Sequence, residues 1–218
     1  KQYKVEKVTF NINYANTTLK RNEFEEAVLR RLNIYYSPRD IKPAIIAQSI
    51  FYNPDSTFKK DDYQKTISKL TELGVFRFVN IKYKPLLVSQ TEGYIDTEIT
   101  AELRKRQSGK IELETNTDAR DKFGTYFNIS YTNRNIFKRA DRLEFNISNG
   151  VEFRFNNTST ESENNNRISS VNLLTNTRLY FPKIFPQTKK SMERNNYKPL
   201  QYPRSTFLNL GYNLQRKI

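Results

Sequence analysis

The chain has 218 residues, with 37 Lys and Arg against 23 Asp and Glu and no His, Cys or Trp, which removes thiolate and imidazole nucleophiles, His-borne proton transfer and the usual zinc sites. Its net charge of +14 suits a polyanion, either nucleic acid or the anionic head groups of a membrane surface, but the basic residues are spread along the chain and only Arg104, Lys105 and Arg106 form a tight run, which is not the footprint of nucleic-acid binding. No apolar run reaches the roughly 18 residues of a transmembrane helix, and no signal peptide lies within these residues, so any export signal is expected to precede Lys1.

In chain order, Lys4 to Asn13 reads as a strand on which Val5, Val8, Phe10 and Ile12 alternate loosely. From Leu19 to Leu32, Phe24, Val28 and Leu32 recur at helical spacing, and Asn22 with Glu25 makes a capping box, which predicts a helix. A second helix is predicted from Ile41 to Ile50, with Pro43 tolerated in its first turn. A third runs from Asp61 to Leu73, with acidic residues at its start, Tyr63, Ile67 and Leu70 on one stripe, and Gly74 just past its end. Val75 to Tyr83 follows as a strand with Val79, Ile81 and Tyr83 on one side, and Tyr94 to Leu103 as its hairpin partner with Ile95, Ile99, Ala101 and Leu103 in common. Residues 1–104 are thus expected to form an α+β domain of β-α-α-β-β order, with an extra N-terminal helical insertion and the helices over one face of a small sheet.

Residues 105–218 differ in kind, because helical periodicity gives way to strands at Lys110 to Thr117, Thr125 to Thr132, Leu143 to Phe155, Ile168 to Phe181 and Ser205 to Leu214. In LEFNISNGVEFRF, Leu143, Phe145, Ile147, Val151, Phe153 and Phe155 share one face, while Glu144, Asn146, Ser148, Glu152, Arg154 and Asn156 take the other. An ordinary globular sheet needs strands of only about five or six residues, whereas a tilted bilayer crossing takes about 9–11. The length therefore points to a membrane barrel. Phe127, Ile129 and Tyr131 share a face, as do Val171, Leu173, Leu179 and Phe181, and again Leu208, Leu210, Tyr212 and Leu214. The connections at Asn156 to Asn166 and Pro186 to Pro203 are long, and those at Asp118 to Phe123 and Asn133 to Asp141 shorter, a disparity that fits the two sides of a barrel. A soluble β-sandwich with two mobile loops has the same periodicity.

Ile41 to Tyr83, IKPAIIAQSIFYNPDSTFKKDDYQKTISKLTELGVFRFVNIKY, resembles the last POTRA domain of BamA/TamA-type outer-membrane assembly proteins, in particular the TamA-like branch of Bacteroidetes. ELETNT at Glu112 to Thr117 and SYTNRNIFKRADRLEFNISNG at Ser130 to Gly150 resemble that family's first barrel strands, with NRNIF at the tight turn. Lys138, Arg139 and Ala140 stand where the family usually carries Gly, so a looser backbone is expected there. Five strands cannot close a barrel, since single-chain bacterial barrels begin at about eight, and the chain is expected to be part of a longer protein whose earlier POTRA domains precede Lys1.

The resemblance implies an outer-membrane protein with its N-terminal domain in the periplasm, assembling or translocating other proteins. Its partners would be unfolded outer-membrane clients, periplasmic or lipoprotein accessory subunits and the lipid bilayer, with no nucleic acid and no cofactor. It implies a client-binding sheet edge at Phe78, Val79, Asn80, Ile81, Lys82 and Tyr83, where a peptide would add by β-augmentation. It also implies a seam at the first barrel strand, with Ile111, Leu113 and Thr115 toward lipid and Glu112 and Glu114 toward the lumen. The acidic pairs Asp61/Asp62 and Glu112/Glu114 are explained as helix-dipole partners and a solvated strand face, so no enzymatic activity, catalytic residue or metal site is expected. The alternatives are a passive outer-membrane transporter or porin with a periplasmic domain, and a soluble basic binding module.

Overall fold

The computed structural model describes residues 2–13, 25–37, 41–88, 92–118, 122–154, 167–182 and 205–217. Two compact units result, one made of Lys1–Arg106, Arg134–Asp141 and Tyr180–Thr206, the other of Gln107–Asn133, Arg142–Leu179 and Phe207–Ile218. No helix among the described residues is long and apolar enough to cross a membrane, which says nothing of strands.

The first unit is organised by β1 (Gln2–Asn13), the middle strand of a five-stranded sheet ordered β2-β3-β1-β5-β4. β1 runs parallel to both neighbours, β3 (Leu32–Tyr36) and β5 (Glu92–Leu103). The outer strands β2 (Glu25–Leu29) and β4 (Phe76–Val88) close the sheet as antiparallel partners of β3 and β5. A register shift between Val5 and Val8 explains the loose alternation of β1, because the irregularity lets both side chains enter the core. With Phe10, Ile34 and Ile99 they are fully buried.

The predicted helix from Leu19 to Leu32 is not formed where the chain is described. Glu25–Leu29 and Leu32–Tyr36 are strands, while Phe24 and the Asn22 of the supposed capping box lie outside the described residues. The helical stripe has no core to face, since Val28 is 64% exposed, whereas Leu32 and Ile34 point inward at strand spacing. Arg30 (φ 53°) and Arg31 (φ 60°) make the two-residue loop between the paired Leu29 and Leu32, both in the left-handed region that a primed hairpin turn requires. Such backbone costs about 1 kcal/mol per non-Gly residue, and charge-assisted hydrogen bonds offset it. The Arg30 guanidinium donates to the carbonyls of Ala47 (2.8 Å) and Ile50 (3.0 Å) and to the Asn53 side chain, and Arg31 pairs with Asp55.

The predicted Ile41 to Ile50 helix shortens to α1 (Pro43–Ala47), with Pro43 in its first turn. The chain leaves the helix early so that Ile50 and Tyr52 alternate into the core at full burial, and the Phe51 N–H between them donates to Thr66 Oγ1 at 3.1 Å. The third helix, α2 (Lys60–Glu72), follows its prediction to within a residue at each end. Asp61 and Asp62 sit in its first turn, and Gly74, at φ 71°, turns the chain out by donating its N–H to the Thr71 carbonyl at 3.0 Å. α1 packs against β2 and β3, and α2 against β4.

The turn Arg134–Asp141 also belongs to this unit, and Ala140 joins its hydrophobic core. The looser backbone expected at Lys138 to Ala140 is not found. Asn135, Lys138 and Ala140 all adopt positive φ, at 78°, 60° and 60°. Fully buried Asp141 makes this possible, because its carboxylate accepts the N–H groups of Phe137 (2.8 Å) and Arg139 (3.2 Å), and its carbonyl accepts the Asn135 N–H (2.5 Å). The Asn135 side chain takes the Ala140 N–H at 2.9 Å, and the Lys138 carbonyl accepts the Lys42 N–H at 3.0 Å.

The second unit is a meander ordered β10-β9-β8-β7-β6, with β6 and β10 at the edges, so the described strands form an open sheet. Its strands are β6 (Gln107–Asp118), β7 (Lys122–Arg134), β8 (Arg142–Arg154), β9 (Arg167–Phe181) and β10 (Thr206–Lys217), 12 to 15 residues each. Phe155 and Asn156, the two long connections at 156–166 and 186–203, and residues 119–121 of the 118–123 turn lie outside the described residues.

In the first unit, the Tyr52 and Tyr83 hydroxyls meet at 2.6 Å beside Phe58, whose ring stands edge-on to Tyr83 at 5.1 Å. Burial pushes both phenols above their ordinary range, and the Tyr83 contact raises Tyr52 further. Both folded values lie above the unfolded value of about 10, so their contribution is fully present below pH ~10 and is lost as pH rises beyond it. Urea unfolding is expected to weaken from pH ~10 upward, and Tyr52→Phe to cost about 1 kcal/mol at neutral pH while flattening that alkaline limb. An unchanged alkaline limb in the variant would show that the pair does not titrate with unfolding.

Candidate functional site

Strand pairing decides which backbone groups stay free, and among the described strands it puts both segments expected to carry function on sheet edges, as it does β2 and β10. Phe78 to Tyr83 lies on β4, an edge strand paired with β5 on one side only. Along it Ile81 is buried, Val79 and Tyr83 pack against the core, and Phe78 (62% exposed), Asn80 and Lys82 take the opposite face. Irregularities between Phe76 and Phe78 and between Pro85 and Val88, with a proline that has no N–H, confine the regular edge to Phe78–Pro85. Lys84 pairs with Glu98 of β5 at 2.8 Å. The lysine contact holds the Glu98 carboxyl below its usual range.

Ile111 to Thr115 lies on β6, an edge of the second sheet. The register is unbroken from Gln107↔Asn133 to Asp118↔Lys122. Ile111 stands opposite Ile129, Leu113 opposite Phe127 and Thr115 opposite Thr125, so these side chains share one face. Glu112 opposite Asn128 and Glu114 opposite Tyr126 share the other, where Lys110 reaches Glu112 at 2.5 Å. The apolar face is uncovered, with Ile111 and Leu113 each 69% exposed.

The polar face carries a cluster that strand alternation alone did not single out. Tyr126 of β7 donates its hydroxyl to Glu152 of β8 at 2.9 Å, and Ser170 of β9 donates to the other carboxylate oxygen, also at 2.9 Å. The Tyr126 ring lies over Gly150, where an added Cβ would come within 2.5 Å of ring carbons. A glycine inside a long strand was the available signal, because such a residue often marks a close approach. The phenol reaches the next strand only because Gly150 leaves that space.

No family model matches the chain, and no curated protein matches it. Among solved structures, BamA from Haemophilus ducreyi lacking POTRA domains 1–3 aligns at 14% identity over 88% of this chain and 40% of that one, with a TM-score of 0.31. CdiB from Acinetobacter baumannii aligns at 9% identity over 99% of this chain and 39% of that one, with a TM-score of 0.40. The chain spans about two fifths of the length of either structure.

Gly150→Ala forces the Tyr126 ring aside and breaks its hydrogen bond to Glu152, an overpacking cost of about 1–3 kcal/mol. Tyr126→Ala in the same chain removes the collision, so the double variant should lose clearly less than the sum of the two singles when unfolding is followed in urea. Strict additivity would mean that ring and glycine do not interact.

Proposed function

We propose that this chain is part of an outer-membrane protein that assembles or translocates other proteins, of the BamA/TamA kind, with its first unit a POTRA-type domain in the periplasm and its second the opening strands of a transmembrane β-barrel. The observation that carries the reading is the uncovered apolar face of the second sheet. Water disfavours a continuous row such as Ile111, Leu113, Phe127 and Ile129, and soluble proteins rarely leave one open. Lipid would cover it, and strands of 12 to 15 residues exceed the about 9–11 that a crossing needs. The polar face, with its carboxylates and the Tyr126–Glu152–Ser170 cluster, suits a barrel interior.

In this reading the β4 edge from Phe78 to Tyr83 accepts an extended segment of an unfolded client or of an accessory subunit, since main-chain pairing tolerates many sequences. β6 offers a second, unbulged edge as the seam along which an incoming strand is templated. No cofactor, metal or covalent step is invoked. The driving force is the client's own folding, in which apolar faces enter lipid and backbone groups become paired.

Leu113→Lys separates lipid from water. On a water-exposed strand the change should stay within about 0.5 kcal/mol, whereas near a bilayer midplane it should cost roughly 2–4 kcal/mol. The reading expects the larger cost when folding into vesicles is measured, and a neutral result would remove the membrane assignment. For the assembly role, a photo-crosslinker at Phe78 or Lys82 should capture urea-unfolded barrel peptides, while one at the exposed Gln64 of α2, which offers no strand edge, should not. Capture at neither β4 position would leave a passive barrel protein in place of an assembly factor.

A further inference from the structure

Two short connections bring six cations together. Arg104, Lys105 and Arg106 join β5 to β6, and Arg134, Lys138 and Arg139 belong to the end of β7 and the turn into β8. The connections lie side by side at one end of the β6–β7 pair, where Gln107 stands opposite Asn133. The Arg134 N–H donates to the Arg106 carbonyl at 2.7 Å, and the Arg134 guanidinium to the Lys105 carbonyl at 3.4 Å. Arg104, Lys105, Arg106 and Lys138 are exposed, and Arg134 and Arg139 half-exposed. Neither 104–106 nor 134–140 contains a carboxylate, and Asp141 is buried and engaged by the turn's backbone. At the other end of the same pair, Asp118 stands opposite Lys122, one acid against one base. Among the cations, Phe137 is 55% exposed, its ring stacked at 6.4 Å on Phe181. Exposed aromatic surface flanked by Lys and Arg is the composition of a segment seated where acyl chains meet head groups.

We propose that this end of the strands is a docking surface for the anionic phosphate head groups of one bilayer leaflet, with Phe137 entering the interface between them. The inference rests on reading the second sheet as membrane-spanning. Lys and Arg within a Debye length of an anionic leaflet are attracted additively, and salt screens the attraction.

The test uses the whole protein, phosphatidylcholine vesicles, and vesicles in which about a third of the lipid is phosphatidylglycerol. Flotation reads binding, and heat-modifiable mobility in electrophoresis reads insertion. The wild type should insert into both, yet bind the anionic vesicles at least about tenfold more tightly, with the preference shrinking at high salt. Lys105→Gln, Arg106→Gln, Lys138→Gln and Arg139→Gln combined spare the backbone atoms that hold the connections together. This variant should insert into phosphatidylcholine as before and lose the preference, and Arg106→Lys with Arg139→Lys should keep it. Insertion without an anionic preference, or a preference that survives the fourfold variant, overturns the inference and leaves the membrane reading standing. Failure to insert into either lipid overturns the membrane reading and the inference with it.

Discussion

The Asp141 carboxylate, out of reach of water, holds the turn on which the two-faced character of the second sheet depends. Side chains alternate with a period of two, so a slip of one residue between β7 and β8 would exchange the faces of one strand and set apolar against polar side chains. The turn prevents that slip by specifying its own backbone. Three non-glycine residues take the left-handed conformation, and each neighbouring N–H that would otherwise be stranded is received by Asp141 or Asn135. Ala140 is drawn into a hydrophobic core by the same geometry, so register and packing are set by one carboxylate.

The two edges with proposed roles manage their unpaired backbone differently. β4 is interrupted by irregular pairing at both ends and carries Pro85, devices that shorten the length over which a foreign strand could pair. β6 has neither, and its pairing with β7 runs without interruption over 12 residues. A short, punctuated edge suits transient capture of an extended segment, and a long, regular one suits a strand that stays.

Legibility in the sequence followed the range of the interactions involved. α2 and the strands of the second unit were legible because periodicity, dipole charges and Gly74 are local signals that agreed with one another. The β2–β3 hairpin was not, because Phe24, Val28 and Leu32 mimic a helical stripe and an Arg-Arg turn lacks the usual Asn-Gly signature. It stands on hydrogen bonds from Arg30 to carbonyls of residues 47 and 50, which no local window contains. The faces of β6 could be read from alternation, but the edge position of β4 could not, since it follows from a strand order in which β5 lies between β1 and β4. The tight backbone at Lys138 and Ala140 was hidden because glycine is only the commonest way to reach positive φ, and a buried Asp is another.

The central place of β1 has a consequence in time. Gln2 pairs with Glu92 and Asn13 with Glu102, so β1 has its β5 side completed only once the chain has been made as far as residues 92–102. Loop closure over that span makes sheet completion slow relative to the local β2–β3 and β4–β5 hairpins. A chain delivered from its N-terminus therefore passes through an interval in which Val5, Val8, Phe10 and Ile12 are present without the neighbouring strand that completes their sheet. How long that interval lasts is governed by the arrival of β5, which makes the rate of delivery a determinant of whether this unit folds or aggregates.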